Sequence, residues 1–129
     1  MSSSDTPTIL VVEDDDIVRM LMVDVLEELD FQVLEADGWD PALAALQGDN
    51  PVDLLVTDVG LCDAADRTGL DLAREALLLR PNIPVLVASG YGNTLELPAG
   101  AQLLSKPFTI DSLRDTVNAL LVQRSTRPL

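Results

Sequence analysis

The chain has 129 residues, 47% of them apolar, a length and composition that fit one domain with one core and exclude a disordered chain. Its 22 acidic and 8 basic residues give a net charge of −14, which argues against a phosphate-backbone binder, because nucleic-acid affinity comes mainly from Lys and Arg. There is no histidine, so Ser-His and Cys-His pairs, imidazole bases and His-ligated zinc are all excluded, and any chemistry must use Asp, Glu, Ser, Thr, Lys or Tyr.

In chain order, residues 1–7 read as a disordered start. Ile9 to Val12 forms a short buried strand, followed by Glu13-Asp14-Asp15-Asp16. Residues 16–29 read as a helix, with Ile17, Leu21, Val25 and Leu29 recurring at i+4. Phe31 to Leu34 is a second strand. Asp37 or Gly38 caps the next helix, with Trp39 packed at its start and Pro41 in its first turn. Residues 48–51 are a loop, Leu54 to Thr57 a third strand, and residues 63–68 a polar loop. A helix from Gly69 to Leu79 is closed by Arg80-Pro81. Pro84 to Ala88 is the fourth strand. The stretch 89–100 holds three glycines and Pro98, so a fourth helix there is short or irregular. Ala101 to Ser105 is the fifth strand. Residues 109–122 form the last helix, with Thr109 and Asp111 as candidate caps and a stripe of Ile110, Leu113, Val117 and Leu120. Residues 123–129 read as a flexible tail.

Five strands alternating with helices imply an α/β fold whose parallel sheet is covered on both faces. Aromatics are only 3%, so Leu, Val and Ala must fill the core. No apolar run reaches membrane-spanning length and no charged-then-apolar leader opens the chain. Cys62, the single cysteine, forms no internal disulfide and reads as a small filler rather than a redox sensor. A cytoplasmic protein is expected.

Open α/β sheets bind ligands outside the carboxyl ends of their strands. Strand one ends in Glu13 and Asp14, strand three in Asp58, strand four in Ser89, and strand five in Ser105-Lys106-Pro107. Alone, Asp58 is an ordinary turn residue. Four strands delivering acid, acid, hydroxyl and ammonium to one rim are harder to explain as punctuation. Converging carboxylates repel unless a cation joins them, and a hard, oxygen-seeking ion such as Mg²⁺ between Asp14 and Asp58 relieves that repulsion. Carboxylate, Mg²⁺, hydroxyl and lysine together are the parts that hold a phosphoryl group, with Asp58 as the nucleophile.

This set, spaced along residues 8–122, resembles the receiver domain of two-component response regulators. The matching parts are Glu13-Asp14 after "ILVV", Asp58 after "LLVT", Ser89 after "PVLVA", and Lys106-Pro107-Phe108. The resemblance implies a flavodoxin-like (βα)5 three-layer sandwich with strand order 2-1-3-4-5. It implies that Asp58 accepts phosphate from a histidine kinase or histidine phosphotransfer protein. Asp14, Asp58 and the Gly60 backbone carbonyl then bind Mg²⁺, with Glu13 acting through a water. Ser89 and Lys106 bind the phosphoryl group, and the Lys106-Pro107 peptide is cis. Without histidine, the chain receives its phosphate in trans or from a small phosphodonor.

Departures from the family pattern are expected to matter. Leu103 stands where the family often has a switching aromatic, and Tyr91 is a candidate substitute. "PVLVASGYG" is similar to an atypical receiver subgroup with a "FATGY"-like motif and an irregular fourth helix. The face made by helix four, strand five and the last helix is the expected surface for a downstream protein partner.

Three other readings stay open. A phosphatase of the haloacid-dehalogenase type needs a second acid where Gly60 stands. A flavin binder conflicts with four acids after strand one. A non-phosphorylated pseudo-receiver would act only as an interaction module. The chain is either a stand-alone receiver or a receiver of a larger protein such as a hybrid kinase.

Overall fold

The computed structural model describes residues 7–48, 52–58, 69–81, 83–89, 101–105 and 109–126. Within them the chain runs β1 (Thr8–Val12), α1 (Asp16–Glu28), β2 (Gln32–Ala36), α2 (Trp39–Gln47), β3 (Leu54–Asp58), α3 (Gly69–Leu79), β4 (Val85–Ser89), β5 (Ala101–Ser105) and α4 (Ile110–Thr126). All strand pairs are parallel, in the order β2-β1-β3-β4-β5. This is the expected α/β sandwich. No helix among the described residues is long and apolar enough to cross a membrane.

Because side chains alternate along a strand, each central strand feeds two cores. Leu10, Val12, Leu55, Val85 and Val87 pack with Trp39, Ala42 and Leu46 of α2 and with Leu72, Ala73 and Ala76 of α3. Ile9, Val11, Leu54, Val56 and Leu86 pack on the other face with Met22 and Leu26 of α1 and with Leu113, Val117 and Leu120 of α4. Leu10, Leu55 and Leu86 are fully buried, each contributing about 1.5–3 kcal/mol of apolar burial. β2, at the sheet edge, has exposed Gln32 and Glu35 around partly buried Val33 and Leu34, and only its last residue, Ala36, is buried.

The lower rim of the sheet is tied by a reciprocal pair. The Thr8 N–H donates to Asp53 Oδ2 at 2.8 Å, and the Asp53 N–H donates to the Thr8 carbonyl at 2.7 Å. α1 ends in a Schellman turn, in which the Phe31 N–H reaches the Leu26 carbonyl and the Asp30 N–H the Glu27 carbonyl. That turn puts Asp30 at φ 72°, in the left-handed region. Arg80 caps the end of α2, its Nε donating to the Leu46 carbonyl at 3.1 Å and its Nη2 to the Gly48 carbonyl at 3.2 Å. Thr109 caps α4, accepting from the Ser112 N–H at 3.0 Å.

Several expectations are corrected. The stripe of Ile17, Leu21, Val25 and Leu29 is not the buried face of α1. Ile17 and Leu21 are 67% and 60% exposed, and Met22, Val23 and Leu26 are buried instead. Steps of four residues drift around a helix of 3.6 residues per turn, so an i+4 row winds off the core face. Ile110 is likewise 60% exposed, while Leu113, Val117, Leu120 and Leu121 hold α4 to the sheet. The second strand is displaced to Gln32–Ala36, because residues up to Phe31 are taken by the helix-terminating turn. Of the two caps expected for α2, the structure has Gly38. The last helix runs on to Thr126, four residues past its expected end. The expected irregular fourth helix, Tyr91, Cys62 and the Lys106-Pro107 peptide lie outside the described residues.

Candidate functional site

The register fixes which strand ends share a level. Val12 pairs with Thr57, so the next step along β1 and β3 sets Glu13 level with Asp58. Asp58 pairs with Ala88 of β4, and Ser89, one residue further, pairs with Ser105 of β5. The ends of β1, β3, β4 and β5 therefore form one rim, with Lys106 following Ser105 in sequence. The Glu13 N–H donates to the Ala36 carbonyl at 3.1 Å, which carries the β1–β2 ladder one residue past the strand.

The four consecutive acids after β1 divide their work. Glu13 is buried, and its Oε2 accepts the Asp15 N–H at 3.1 Å. Asp14 is exposed. Asp15 is the N-cap of α1, its Oδ1 accepting from the Ile17 N–H at 2.9 Å and the Val18 N–H at 3.1 Å, which satisfies two of the helix's first-turn donors. Asp16 pairs with Arg19 Nη2 at 2.7 Å.

The structure brings three of the expected site residues together. One carboxylate oxygen from each of Glu13, Asp14 and Asp58 lies within 4.8 Å of the other two. This donor set suits a hard divalent cation. Around an octahedral Mg²⁺, ligand oxygens are about 2.9 Å apart when adjacent and about 4.2 Å when opposite, so carboxylates gathered within 4.8 Å are grouped on the scale of one ion's surroundings. Asp58 is partly buried at the tip of β3, and Ser89 is fully buried at the tip of β4. Leu103 is partly buried in β5, in register with Val87. Gly60 and Lys106 lie outside the described residues, as does Tyr91.

Sequence reasoning missed Arg19. Its Nη1 donates to the Glu13 carbonyl at 2.8 Å, and its Nε to Glu35 Oε1 at 3.3 Å. The Asp16 hydrogen bond, followed by Glu35, holds its guanidinium pKa above the ordinary arginine value. A local signal existed, since Arg19 stands three residues after Asp16, one helical turn away. Nothing local pointed to its contacts with β2 or with the Glu13 carbonyl.

A family profile, "Response regulator receiver domain", matches residues 9–118. The chain is similar to the response regulator receiver protein CpdR of Brucella abortus (strain 2308), with 32% identity over 117 residues, covering 87% of this chain and 92% of that protein. It is also similar to the sensor kinase CckA of the same organism, with 35% identity over 124 residues. That match covers 92% of this chain but only 13% of the kinase. Among solved structures, a response regulator receiver protein from Sinorhizobium medicae WSM419 superposes with a TM-score of 0.83 at 28% identity, covering 95% of this chain and 99% of that one.

Proposed function

Since the chain belongs to the response regulator receiver domain family of two-component systems, we propose that it is a phosphoacceptor switch in which Asp58 takes a phosphoryl group from a phosphohistidine partner. The observation that carries this reading is the convergence of the Glu13, Asp14 and Asp58 carboxylates at the carboxyl edge of the sheet. Three acids held that close repel one another, and a divalent cation among them relieves that repulsion.

Asp14 and Asp58 would hold Mg²⁺ directly, with the Gly60 carbonyl, and Glu13 would hold it through a water. When bound, the ion neutralises charge on the phosphoryl oxygens and lines them up for in-line transfer. One Asp58 carboxylate oxygen attacks the phosphorus. A P–O bond forms, the P–N bond to the partner's imidazole breaks, and the electron pair returns to the imidazole nitrogen. The product is an aspartyl-phosphate. The Ser89 hydroxyl and the Lys106 ammonium would bind the arriving phosphoryl oxygens, drawing their loops inward. The domain thus acts as a signalling switch, and a histidine kinase or phosphotransfer protein is its proposed donor.

The test is phosphorylation of the purified chain by acetyl phosphate or a phosphorylated histidine kinase, followed by intact mass. One phosphoryl group is expected, lost in Asp58→Asn and lost on chelating Mg²⁺. Labelling that persists in Asp58→Asn would refute the assignment.

A further inference from the structure

Arg19 touches the peptide that joins the two acids at the tip of β1. Its guanidinium spans three stretches of chain: the Glu13 carbonyl at 2.8 Å, Asp16 at 2.7 Å on its own helix, and Glu35 at 3.3 Å near the end of β2. The Arg19 side chain is only 16% exposed, although both acidic partners face solvent. The carbonyl it holds belongs to the same peptide plane as the Asp14 N–H. On the near side of that plane, the Glu13 N–H is pinned to Ala36. On the far side, the Asp15 N–H is pinned to Glu13 Oε2. Arg19 supplies the side-chain hold on the plane itself.

We propose that Arg19 is a positioning residue for the acid cluster: by fixing the Glu13 carbonyl it sets the direction in which Asp14 leaves β1, and so the carboxylate spacing that a divalent cation requires. The proposal rests on the reading of the cluster as a Mg²⁺ site, and it adds a residue that does not itself touch the ion. Outer partners of this kind orient the groups that do. Arginine suits the task because its planar fork serves three acceptors at once, which a lysine ammonium on a flexible stem does not reproduce.

Charge and position predict opposite signs. A cation beside the cluster repels Mg²⁺, so removing its charge alone would tighten binding. Loss of positioning weakens it.

The experiment titrates Mg²⁺ into the full chain by calorimetry, for the native protein, Arg19→Lys, Arg19→Met and Glu35→Gln, with urea unfolding in EDTA alongside. Both Arg19 variants are expected to raise the Kd roughly tenfold, the lower end of what losing an outer partner costs. Glu35→Gln, which keeps Arg19 and every group at the cluster, is expected to raise it less and covers the case in which an Arg19 variant does not fold. Arg80→Met, a variant of the α2 cap, is expected to lose stability at an unchanged Kd. Native-like Mg²⁺ binding in Arg19→Lys, tighter binding in Arg19→Met, or an equal loss of affinity in Arg80→Met would each overturn the proposal. Absence of Mg²⁺ binding by the native chain would instead overturn the reading on which it rests.

Discussion

Asp58→Asn is expected to make the protein more stable when divalent cations are absent, and to remove most of the stabilisation that Mg²⁺ gives the native chain. The magnitude follows from the cluster. At 4.8 Å, the outer limit of its oxygen separations, two unit charges repel by about 3.5 kcal/mol at an effective dielectric constant near 20 and by about 0.9 kcal/mol in water. Asp14 is exposed, so its repulsion of Asp58 lies near the lower figure. Glu13 is buried, so its repulsion lies nearer the higher one, reduced by the hydrogen bond from the Asp15 N–H. A gain of about 1–3 kcal/mol is expected after that reduction, a rise in Tm of roughly 3–5 °C for each kcal/mol in a domain of this size. Urea unfolding followed by circular dichroism, in EDTA and then in Mg²⁺, measures both effects. If the cluster holds Mg²⁺ as proposed, the ion at about a hundred times its Kd is expected to add roughly 2.7 kcal/mol to the native chain, and the variant is expected to gain much less. If Asp58→Asn is no more stable than the native protein in EDTA, the carboxylates do not strain one another. Equal stabilisation of both proteins by Mg²⁺ would place the ion somewhere else.

Asp30→Gly is expected to stabilise the fold by roughly 0.5–1 kcal/mol, because a left-handed residue at the end of α1 is strained unless it is glycine. A lower urea midpoint in this variant would contradict that account of the turn. Arg80→Met is expected to cost about 1–2 kcal/mol, since it leaves two carbonyls at the end of α2 without their charged donor. Urea unfolding measures this directly, and no change would mean that solvent serves those carbonyls equally well.

The sheet and its rim were legible because the central strands are short apolar runs that end in chemistry-bearing residues. Asp58 closes β3, Ser89 closes β4, and Glu13-Asp14 follow β1, so topology alone carried them to one edge. The helical faces were harder to read. In α1 the four-residue recurrence of Ile17 and Leu21 looked like a core stripe, yet the true face is Met22, Val23 and Leu26. Apolar residues occur on both sides of that helix, and composition does not say which side the sheet takes. The role of Asp15 as a helix cap was hidden by its place in a run of four acids. Arg19 was legible only as a one-turn partner of Asp16, because its other acceptors are a backbone carbonyl and a side chain sixteen residues away.

The small knot of Thr8 and Asp53 has a reach longer than its size. Strands that are greasy on both sides would slide past one another with little hydrophobic penalty, since a shift by one position exchanges one oily side chain for another. One restraint on such a slip between β1 and β3 is the pair of hydrogen bonds at their starts, 45 residues apart in sequence. A slip of one residue would lift Glu13 by about 3.3 Å relative to Asp58, enough to pull apart the trio of oxygens at the opposite end. An anchor at the foot of the sheet thereby helps keep the acids at its top level with one another.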